Sequence, residues 1–456
     1  MPFVCINPTT GRRLRSYRTH TARETDRILG RADAAFRRWR DWSLEERAGY
    51  LRIVARLLRR RAPALDRLIT EEMGKPLAQA RAEIEKSAVT CEYYARYGAR
   101  YLSPEIPLNA PKGARVLFQP LGTVLAIMPW NFPVWQAVRS AAPVLMAGNT
   151  FVLKHAANVT GCAHAVAKLF ADAGGRHGPG AVFQISLLPN EAIAAVIADP
   201  RVHAVTLTGS TGAGRKVAAT AGSVMKKGVF ELGGSDAYLI LADANLDVAA
   251  EVCAASRLIN SGQSCVCAKR FIVVASVRRE FERKFATRLA ARRVGDPLDP
   301  RTDVGPVARR DLRDKLHAQV RASVKAGARL VMGGHPLPGR GFFYAPTLLT
   351  GVKPGMPAYD EELFGPVAAL ISVPHEAAAI RIANDSIYGL GAAVFSRNRT
   401  RARAVAARLE AGAVFINDFV RSDAALPFGG IKQSGHGREL GSFGIREFVN
   451  IKTVLG

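Results

Sequence analysis

The sequence predicts an α/β fold with more than one domain, and three observations support this prediction. From about residue 115 onward, short β-rich runs alternate with stretches of helical periodicity, the order that produces parallel βαβ units. The chain has 456 residues, which exceeds the size of a typical single domain. Hydrophobic residues make up 48% of the chain and are spread evenly, enough for a large core.

The first hundred residues are predicted to be helical. Two capping-box patterns, Thr21-x-x-Glu24 and Ser43-x-x-Glu46, each precede a stretch of helical periodicity. In such a box each side chain accepts a hydrogen bond from the backbone of the other residue. We therefore expect one helix to begin directly after each box.

Two series of strands follow. The first contains GTVLAIM, TFVLK, AVFQIS and AVTLT; the second, after Glu231, contains AYLILAD, KRFIVVASV, ARLVMGG, GAAVFS and AVFIN. Helices are expected between them, for example near 247–259 and 278–293. Two α/β domains therefore meet near residues 228–236. The Pro-rich segment 101–122 and the final FVNIKTVLG are extended and can form strands outside both domains.

Composition excludes several classes of protein. No run approaches the roughly 18 apolar residues of a membrane span, and the N-terminus MPFVCINPTTGRRLR lacks an apolar signal core. The six cysteines are too scattered for a disulfide scaffold, and none is spaced with histidines as in a zinc site. We expect a soluble cytoplasmic protein with no metal and no membrane partner.

The formal net charge of +26 is unusual for a metabolic enzyme. Nucleic-acid-binding proteins cluster Lys and Arg residues to neutralise phosphates. Here the basic residues are dispersed among helical stretches such as RLLRRRAPALDRL, without an aromatic stacking motif. We therefore expect a solvated basic surface and no nucleic-acid partner, with a positive field that can speed capture of an anionic substrate.

Two segments offer a nucleophile and a base. Cys265 ends the turn GQSC (262–265) after a predicted helix, where backbone N–H groups can support a nucleophilic thiolate. Glu231 ends a β run and begins ELGG (231–234), whose glycines leave room for a general base acting on water. The alternatives are a buried structural cysteine and a surface turn.

Two further segments offer an oxyanion donor and a phosphate site. In MPWNFP (128–133) two prolines fix the backbone around Asn131, whose amide can donate to a developing oxyanion; a proline-stiffened structural turn is the alternative. LTGSTGAG (207–214) follows a strand and opens a helix, where a pyrophosphate can bind free N–H groups. It lacks the GxGxxG pattern and the acidic residue about twenty positions later.

Together these segments resemble the aldehyde dehydrogenase superfamily in order and spacing, over nearly the whole chain. The matching segments are WNFP (130–133), the strand end at Lys154, TGST (208–211), ELGG (231–234), GQSC (262–265), EELFGPV (361–367) and PFGGIKQSGHGRE (427–439). Several stretches look closer to the bacterial succinate-semialdehyde dehydrogenases: PWNFPVWQAVR, VLKHAANVTGCA, ELGGSDAYLIL, GQSCVCAKRF and VARRDLRDKL.

The resemblance implies an aldehyde dehydrogenase-like α/β fold. Its parts are a Rossmann-type NAD(P)-binding domain (1–97 and 121–230), an α/β catalytic domain (231–430) and a β oligomerisation arm (98–120 and 431–456). The two arm segments imply a homodimer or homotetramer.

The implied reaction begins when Cys265 attacks an aldehyde to form a thiohemiacetal. The Asn131 amide and the Cys265 backbone N–H hold its oxyanion, and hydride transfer to the nicotinamide leaves a thioester. Glu231 then activates water; relatives that pass the acyl group to coenzyme A generally lack this glutamate, so its presence favours hydrolysis. Glu439 matches the family's proton-relay position.

The resemblance also implies a set of cofactor contacts. Trp130 and Ser210, with Gly209 beside it, match the pyrophosphate contacts, Lys154 the adenosine ribose, Glu362 the nicotinamide ribose and Phe364 the nicotinamide face. Ala157 stands where many NAD-selective members carry a glutamate that repels a 2′-phosphate. It also lacks the hydroxyl that would hold that phosphate, so the sequence permits NAD and NADP.

A carboxylate-bearing aldehyde, above all succinate semialdehyde, is the expected substrate. Arg139 lies eight residues beyond Asn131, two helical turns away if a helix begins at the proline, and can grip a carboxylate. Ser422, in the loop that closes the family's substrate mouth, adds a hydrogen bond, and Trp135 forms the wall beside the methylene chain. Alternatively, Arg139 pairs with a structural carboxylate. Arg421 is expected at the surface, although it is close enough to share the role of Arg139.

Three alternatives remain at this stage. Cys267 can form a disulfide with Cys265 and act as a redox switch, or can simply pack. Another semialdehyde, such as glutarate semialdehyde, can be the substrate. A non-catalytic binding protein on the same fold is the alternative from a different functional class.

Overall fold

Two mostly parallel sheets dominate the structure, a computed structural model that describes residues 2–175 and 178–456. Helices cover both sheets, and the sheets' residues enter the largest buried apolar clusters. This arrangement confirms the α/β class predicted from the alternation of strands and helices. Within the described residues, no helix combines the length and apolar character that crossing a membrane requires.

The N-terminal hundred residues form a hairpin and four helices. The elements are β1 (Phe3–Ile6), β2 (Arg13–Tyr17), α1 (Ala22–Trp39), α2 (Leu44–Arg60), α3 (Ala62–Met73) and α4 (Leu77–Leu102). The expectation of helices throughout was wrong for the antiparallel hairpin. Its second strand, RLRSY, is mostly exposed and lacks the apolar alternation by which strands are recognised.

Both predicted capping boxes are present. The Thr21 side chain accepts a hydrogen bond from the Glu24 backbone N–H, and the Glu24 carboxylate accepts one from the Thr21 backbone N–H. Ser43 and Glu46 repeat this exchange. Helices α1 and α2 begin directly after these boxes, as the local pattern predicted.

The first large sheet carries the predicted cofactor-binding segments. Its region contains β3 (Arg115–Pro120), β4 (Thr123–Met128), α5 (Trp135–Met146), β5 (Thr150–His155), α6 (Thr160–Gly174), β6 (Phe183–Ile185), α7 (Ile193–Ala198), β7 (Val202–Thr208), α8 (Thr211–Ser223) and β8 (Lys227–Glu231). Strands β8, β7, β4, β5 and β6 lie side by side in that order, all parallel. The carboxyl ends of β4, β5, β7 and β8 therefore share one edge of the sheet.

The second large sheet is built from the following half of the chain. Its region contains β9 (Ala237–Ile240), α9 (Leu246–Leu258), β10 (Arg270–Val274), α10 (Arg278–Ala290), α11 (Arg310–Lys325), β11 (Arg329–Met332), β12 (Thr347–Thr350), α12 (Pro357–Asp360), β13 (Val367–Val373), α13 (Glu376–Asn384), β14 (Tyr388–Gly389), β15 (Gly391–Phe395), α14 (Arg399–Ala406) and β16 (Ala413–Ile416). The spatial order is β11-β12-β13-β10-β9-β15-β16, with only β11 antiparallel among these described strands.

The last residues tie the parts of the chain together. They form β17 (Ile431–Lys432), β18 (Gly435–His436), α15 (Gly441–Arg446) and β19 (Val449–Val454). Strand β17 pairs with β14, β18 pairs with β8, and β19 pairs with β3 to form a two-stranded arm. Residues 98–102 belong to the end of α4. The domain bounds drawn from the sequence stay a prediction.

Candidate active site

A sharp turn places Cys265 at a cavity of about 290 Å³. After α9 the backbone takes positive φ angles at Asn260 (52°), Ser261 (56°) and Gly262 (76°). The left-handed region is sparsely populated by non-glycine residues, and here two consecutive ones adopt it. Such strain concentrates at functional sites. The turn ends the helix abruptly, and residues 264–267, which follow it, line the cavity.

Two glycines of the ELGG segment let its backbone approach this loop closely. A Cβ on Gly234 would lie 2.7 Å from the Cys265 carbonyl oxygen, and one on Gly233 would lie 2.7 Å from Glu362 Oε2. Both separations are shorter than real Cβ contacts allow, so no side chain fits at either position without a shift. The glycines therefore bring the end of β8 and Glu362 together with residues 263–267, which we call the nucleophile loop after the role expected of Cys265.

Lys269 holds the nucleophile loop from the opposite side. Its buried ammonium donates to the carbonyl oxygens of Ser264 at 3.0 Å, Cys265 at 2.8 Å and Cys267 at 3.3 Å. It also lies 3.6 Å from Glu362 Oε1. One cation thus joins the loop that carries the thiol to a carboxylate of the neighbouring cleft.

Burial has the largest effect on the pKa of the Cys265 thiol. It raises the pKa of Cys265 to about 12, and the positive charges of Lys269 and Arg139 act in the opposite direction. Burial disfavours the charged thiolate, whereas nearby cations favour it. At neutral pH the protein alone therefore holds Cys265 mainly as a thiol, and attack requires that its proton be removed.

Asn131 lies against the nucleophile loop, as the oxyanion hypothesis requires. Its side-chain N–H₂ donates to the Gln263 carbonyl oxygen at 3.1 Å, and its backbone carbonyl accepts from Asn260 at 2.7 Å. The side chain is 4% exposed. One amide hydrogen is thus used to fix the side chain, and the second remains for a ligand.

Glu231 is buried at the end of β8. Neither of its carboxylate oxygens has a hydrogen-bond partner among the described residues. Burial raises the pKa of Glu231 well above its usual value; the Glu439 carboxylate also raises it, and Arg139 and Arg438 oppose them. A carboxyl group with a raised pKa suits a base that must take a proton from water.

Glu439 is connected to Arg139 and Ser140. The Ser140 hydroxyl donates to Glu439 Oε1, and Arg139 Nη2 lies 2.5 Å from Oε2. Arg139 Nη2 also donates to Thr208 Oγ1 at 3.0 Å. This is the ion pair that the sequence left open as the alternative role for Arg139. Arg139 nevertheless lines the Cys265 cavity, and its Nε has no partner within the described chain.

A cleft of about 460 Å³ lies beside the nucleophile loop at the carboxyl edge of the first sheet. Its lining includes five predicted cofactor residues: Trp130, Gly209, Ser210, Glu362 and Phe364. Ser210 caps α8, its hydroxyl accepting from the Ala213 N–H at 3.3 Å. The positive end of α8 therefore faces the cleft, as a pyrophosphate site requires. The Trp130 and Phe364 rings meet edge to face, 5.7 Å apart.

Lys154 and Ala157 line a separate, wider cavity at the end of β5. Lys154 donates to Asn190 Oδ1 at 3.0 Å. Because β4 and β5 are adjacent parallel strands, this cavity opens on the same sheet edge as the cleft. The cofactor residues predicted for the adenosine end and for the nicotinamide end are thus placed in two neighbouring cavities.

The Cys265 cavity collects the predicted substrate residues. Arg139, Trp135 and Ser422 all line it, and α5 begins at Trp135, two residues after Pro133. Two further cations, Lys86 and Arg421, also line it. Lys86 was missed by the sequence reasoning, because a lone lysine on the amphipathic α4 is typical of a solvent-facing position.

The Cys267 thiol is surrounded by polar groups of the Arg257 side chain and the loop backbone. Arg257 Nη2 lies 3.0 Å from its sulfur, and the thiol donates to the Ser264 carbonyl at 2.9 Å. The side chain is 2% exposed. These contacts hold Cys267 in the reduced structure, and its proposed disulfide with Cys265 stays a prediction.

Comparison with known families matches residues 1–454 to the aldehyde dehydrogenase family. The chain belongs to the aldehyde dehydrogenase family. The resemblance inferred from the seven segments is thereby confirmed, and so is the fold that it implied. The candidate active site of this aldehyde dehydrogenase consists of the cavity at the half-buried Cys265, which cations line, and the neighbouring cleft at the positive end of α8.

Individual relatives resemble this aldehyde dehydrogenase over its full length. "Succinate semialdehyde dehydrogenase [NAD(P)+] Sad" of Escherichia coli K12 is 46% identical, with 99% of this chain and 97% of that protein covered. "Succinate-semialdehyde dehydrogenase [NADP(+)] 1" of Mycobacterium tuberculosis is 45% identical, with 100% and 99% covered. The solved succinic semialdehyde dehydrogenase of Streptococcus pyogenes, in complex with NADP+, has a TM-score of 0.96 at 38% identity, with 99% of each chain covered.

Proposed function

We propose that this chain oxidises succinate semialdehyde to succinate with NAD(P)+. The observation that carries the proposal is the cavity at Cys265, whose apolar walls hold Arg139, Lys86 and Arg421 beside Ser422. Cations in a largely apolar cavity favour a short aldehyde with a carboxylate at its far end. The names of the two relatives in E. coli and M. tuberculosis support the same substrate.

The cleft residues fit a dinucleotide. The capped α8 faces the cleft with free N–H groups for a pyrophosphate, and Glu362 is positioned by the Gly234 N–H at 3.1 Å to accept from a ribose. Lys154 and Asn190 would bind the adenosine ribose. Bound NAD(P)+ supplies a nicotinamide ring that accepts a hydride.

Both cofactor forms fit the residues at the adenosine end. Ala157 carries neither a carboxylate that would repel a 2′-phosphate nor a hydroxyl that would bind it. Lys154 supplies a positive charge nearby, and burial lowers its pKa. We therefore propose that the enzyme accepts NAD+ and NADP+, as the name of the E. coli relative states for that protein.

Cys265 and Asn131 carry out the first half of the reaction. The Cys265 sulfur loses its proton to solvent water and bonds to the aldehyde carbon, and the electron pair of the broken C=O π bond makes the carbonyl oxygen an oxyanion. The free amide hydrogen of Asn131 and the Cys265 backbone N–H donate to that oxyanion. Once the substrate carbon has lost a hydride, Cys265 carries the acyl group as a thioester.

Glu231 and Glu439 carry out the second half. Glu231 takes a proton from water, the water oxygen bonds to the acyl carbon, and the carbon–sulfur bond breaks to release the acid. The Glu439 carboxylate acts on the pKa of Glu231, and Ser140 and Arg139 position it. We propose that the proton leaves Glu231 by way of Glu439.

Arg139 has two tasks in this proposal. Its Nη2 holds Glu439, while its Nε is buried without a described partner in a residue that lines the Cys265 cavity and so remains for a substrate. Trp135 packs beside the methylene chain, and Ser422 donates to the carboxylate.

The arm residues support the proposal of a homo-oligomer, and the six free cysteines are consistent with a cytoplasmic protein. The dispersed basic residues favour a protein without a nucleic-acid partner.

A small panel of aldehydes tests the proposal. Succinate semialdehyde, glutarate semialdehyde and butanal are each assayed with NAD+ and with NADP+ by the absorbance of the reduced cofactor. We expect succinate semialdehyde to give the highest kcat/KM. A higher value for glutarate semialdehyde would move the assignment to that substrate, and no turnover of any aldehyde would leave a non-catalytic binding protein.

A further inference from the structure

Lys86 is a cation of the active-site cavity that none of the family-derived roles uses. It lies on α4, opposite the nucleophile loop, and lines the same cavity as Cys265. Its ammonium donates to Ser422 Oγ at 2.7 Å and lies 4.6 Å from the centre of the Trp135 ring. Lys86 therefore contacts both residues expected to surround the far end of the substrate.

The charge of Lys86 has no counter-ion in the part of the chain that the structure describes. Among the described residues, no carboxylate lies within ion-pair distance of Lys86, whereas the other two cavity cations are paired. Arg139 lies 2.5 Å from Glu439, and Arg421 lies 2.6 Å from Asp418. A half-buried, unpaired ammonium is costly unless a ligand neutralises it.

We propose that Lys86, together with Ser422, binds the distal carboxylate of the substrate and sets the preference for carboxylate-bearing aldehydes. This inference rests on the proposed function. The ring of Trp135 stabilises the ammonium before the substrate arrives. Lys86 makes the main charged contact with the substrate carboxylate. Arg139, which already binds Glu439 and Thr208, provides an additional positive charge.

The electrical surroundings of Lys86 make this contact sensitive to pH. Burial and the positive charge of Arg139 lower the pKa of Lys86 to about 8; Asp423 and Glu83 act in the opposite direction, and Arg421 adds to the lowering. The ammonium is present below that pH and is lost above it. The KM for a carboxylate-bearing aldehyde should therefore rise as pH increases through 8.

The test compares two substrates on matched variants. The variants are Lys86→Met, which removes the charge at similar length, Lys86→Arg, which keeps a charge that does not titrate, and Arg96→Met. Arg96→Met is the control, because it removes a charge from an exposed site on the same helix, outside the cavity. KM and kcat are measured for succinate semialdehyde and for butanal, an uncharged aldehyde of the same chain length, from pH 6.5 to 9.5.

We expect Lys86→Met to lower the ratio of kcat/KM for succinate semialdehyde to that for butanal by about 10- to 100-fold, the range for a lost charged hydrogen bond. Most of the loss should be in KM. Lys86→Arg should retain most of the ratio and abolish the rise of KM above pH 8, and Arg96→Met should change neither. Inhibition by succinate should weaken in parallel in Lys86→Met.

Other results would overturn the inference. A selectivity ratio that Lys86→Met leaves unchanged, or a rise of KM above pH 8 that persists in Lys86→Arg, would remove Lys86 from the substrate site. The proposed function fails separately, if the unmodified enzyme shows no preference for succinate semialdehyde over butanal. Activity of each variant on butanal shows that the protein has folded.

Discussion

At the scale of single residues, Lys269 connects the nucleophile to the cofactor cleft. Its ammonium binds three carbonyl oxygens of the Cys265 loop and faces Glu362. Of the groups that lower the pKa of Cys265, its charge has the largest effect. The residue thus both fixes the loop and eases removal of the thiol proton.

Removing the Lys269 charge should make Cys265 harder to ionise. In Lys269→Met we expect the pH profile of alkylation by iodoacetamide to shift to higher pH by roughly one unit or more, because a nearby opposite charge is lost. Lys269→Arg should shift it less. Mass mapping of the Cys265 peptide gives the rate at each pH, and superimposable profiles would contradict the role assigned to Lys269.

Glu231 should act only after the thioester has formed. We expect Glu231→Gln to lower steady-state kcat by about 10²- to 10⁴-fold, because water loses its general base. A rapid burst of one reduced cofactor per active site should remain, because the attack by Cys265 and the hydride transfer precede the step in which Glu231 acts. Stopped-flow absorbance measures both phases; a burst lost together with kcat would place Glu231 in the first half.

Because Arg139 also pairs with Glu439, removing its side chain should affect both KM and kcat. Arg139→Ala should raise the KM for succinate semialdehyde more than that for butanal, because a charged hydrogen bond of about 1.5–3 kcal/mol is lost. It should also lower kcat on both aldehydes, since Glu439 loses its partner. Steady-state kinetics on the two substrates separate these effects; an equal relative change in KM for both would remove Arg139 from substrate binding.

At the scale of elements, the buried carboxylate of Glu83 joins α4 to the start of α5 beside the substrate cavity. Glu83 binds the Lys75 ammonium and also accepts from the backbone N–H groups of Val134 at 2.8 Å and Trp135 at 3.0 Å. The carboxylate thus satisfies two free donors at the start of α5. This contact sets where α5 begins and so where Trp135 and Arg139 face the cavity.

Breaking that pair should cost more than breaking an exposed one. Lys75→Met leaves a buried carboxylate without its counter-ion and should destabilise the protein by about 3–5 kcal/mol. Glu85→Gln, which breaks an exposed pair with Arg59, should cost at most about 1 kcal/mol. Urea unfolding followed by tryptophan fluorescence compares them, and similar midpoints would show that the buried pair adds no special stability.

Local patterns predicted the elements whose signals are local. The boxes at Thr21 and Ser43 located two helix starts, because capping depends on residues three positions apart. The hairpin at the N-terminus was missed because RLRSY lacks apolar alternation. Strand β13 and its partner β12 were also not identified from the sequence.

At the scale of the whole molecule, the site depends on contacts between residues far apart in sequence. Motifs pointed to Cys265, Glu231 and Asn131 because family segments surround each of them. The pairing of Arg139 with Glu439 joins residues 300 positions apart, and the contact of Lys86 with Ser422 spans 336 positions. No local pattern carries such information, so these contacts required the fold.

The arm formed by β3 and β19 offers a surface for association. Exposed apolar side chains lie on β19, directly after it and in the segment before β3: Ile451, Leu455, Ile106 and Leu108. Apolar patches of this kind mark interfaces between proteins. We propose that the protein is a homo-oligomer assembled through this arm, and we expect deletion of residues 449–456 to give smaller species than the full-length protein in sedimentation velocity. An association state that the deletion leaves unchanged would place the interface elsewhere.

In the proposed mechanism, oxidation of the aldehyde leaves its acyl group as a thioester on Cys265. The most direct measurement is peptide mass mapping of Glu231→Gln, quenched in acid after one turnover with succinate semialdehyde and NADP+. We expect a succinyl group on the peptide that contains Cys265, in an amount equal to the reduced cofactor formed, and none in Cys265→Ala. Reduced cofactor formed without acylation of Cys265, or an acyl group on another residue, would contradict it.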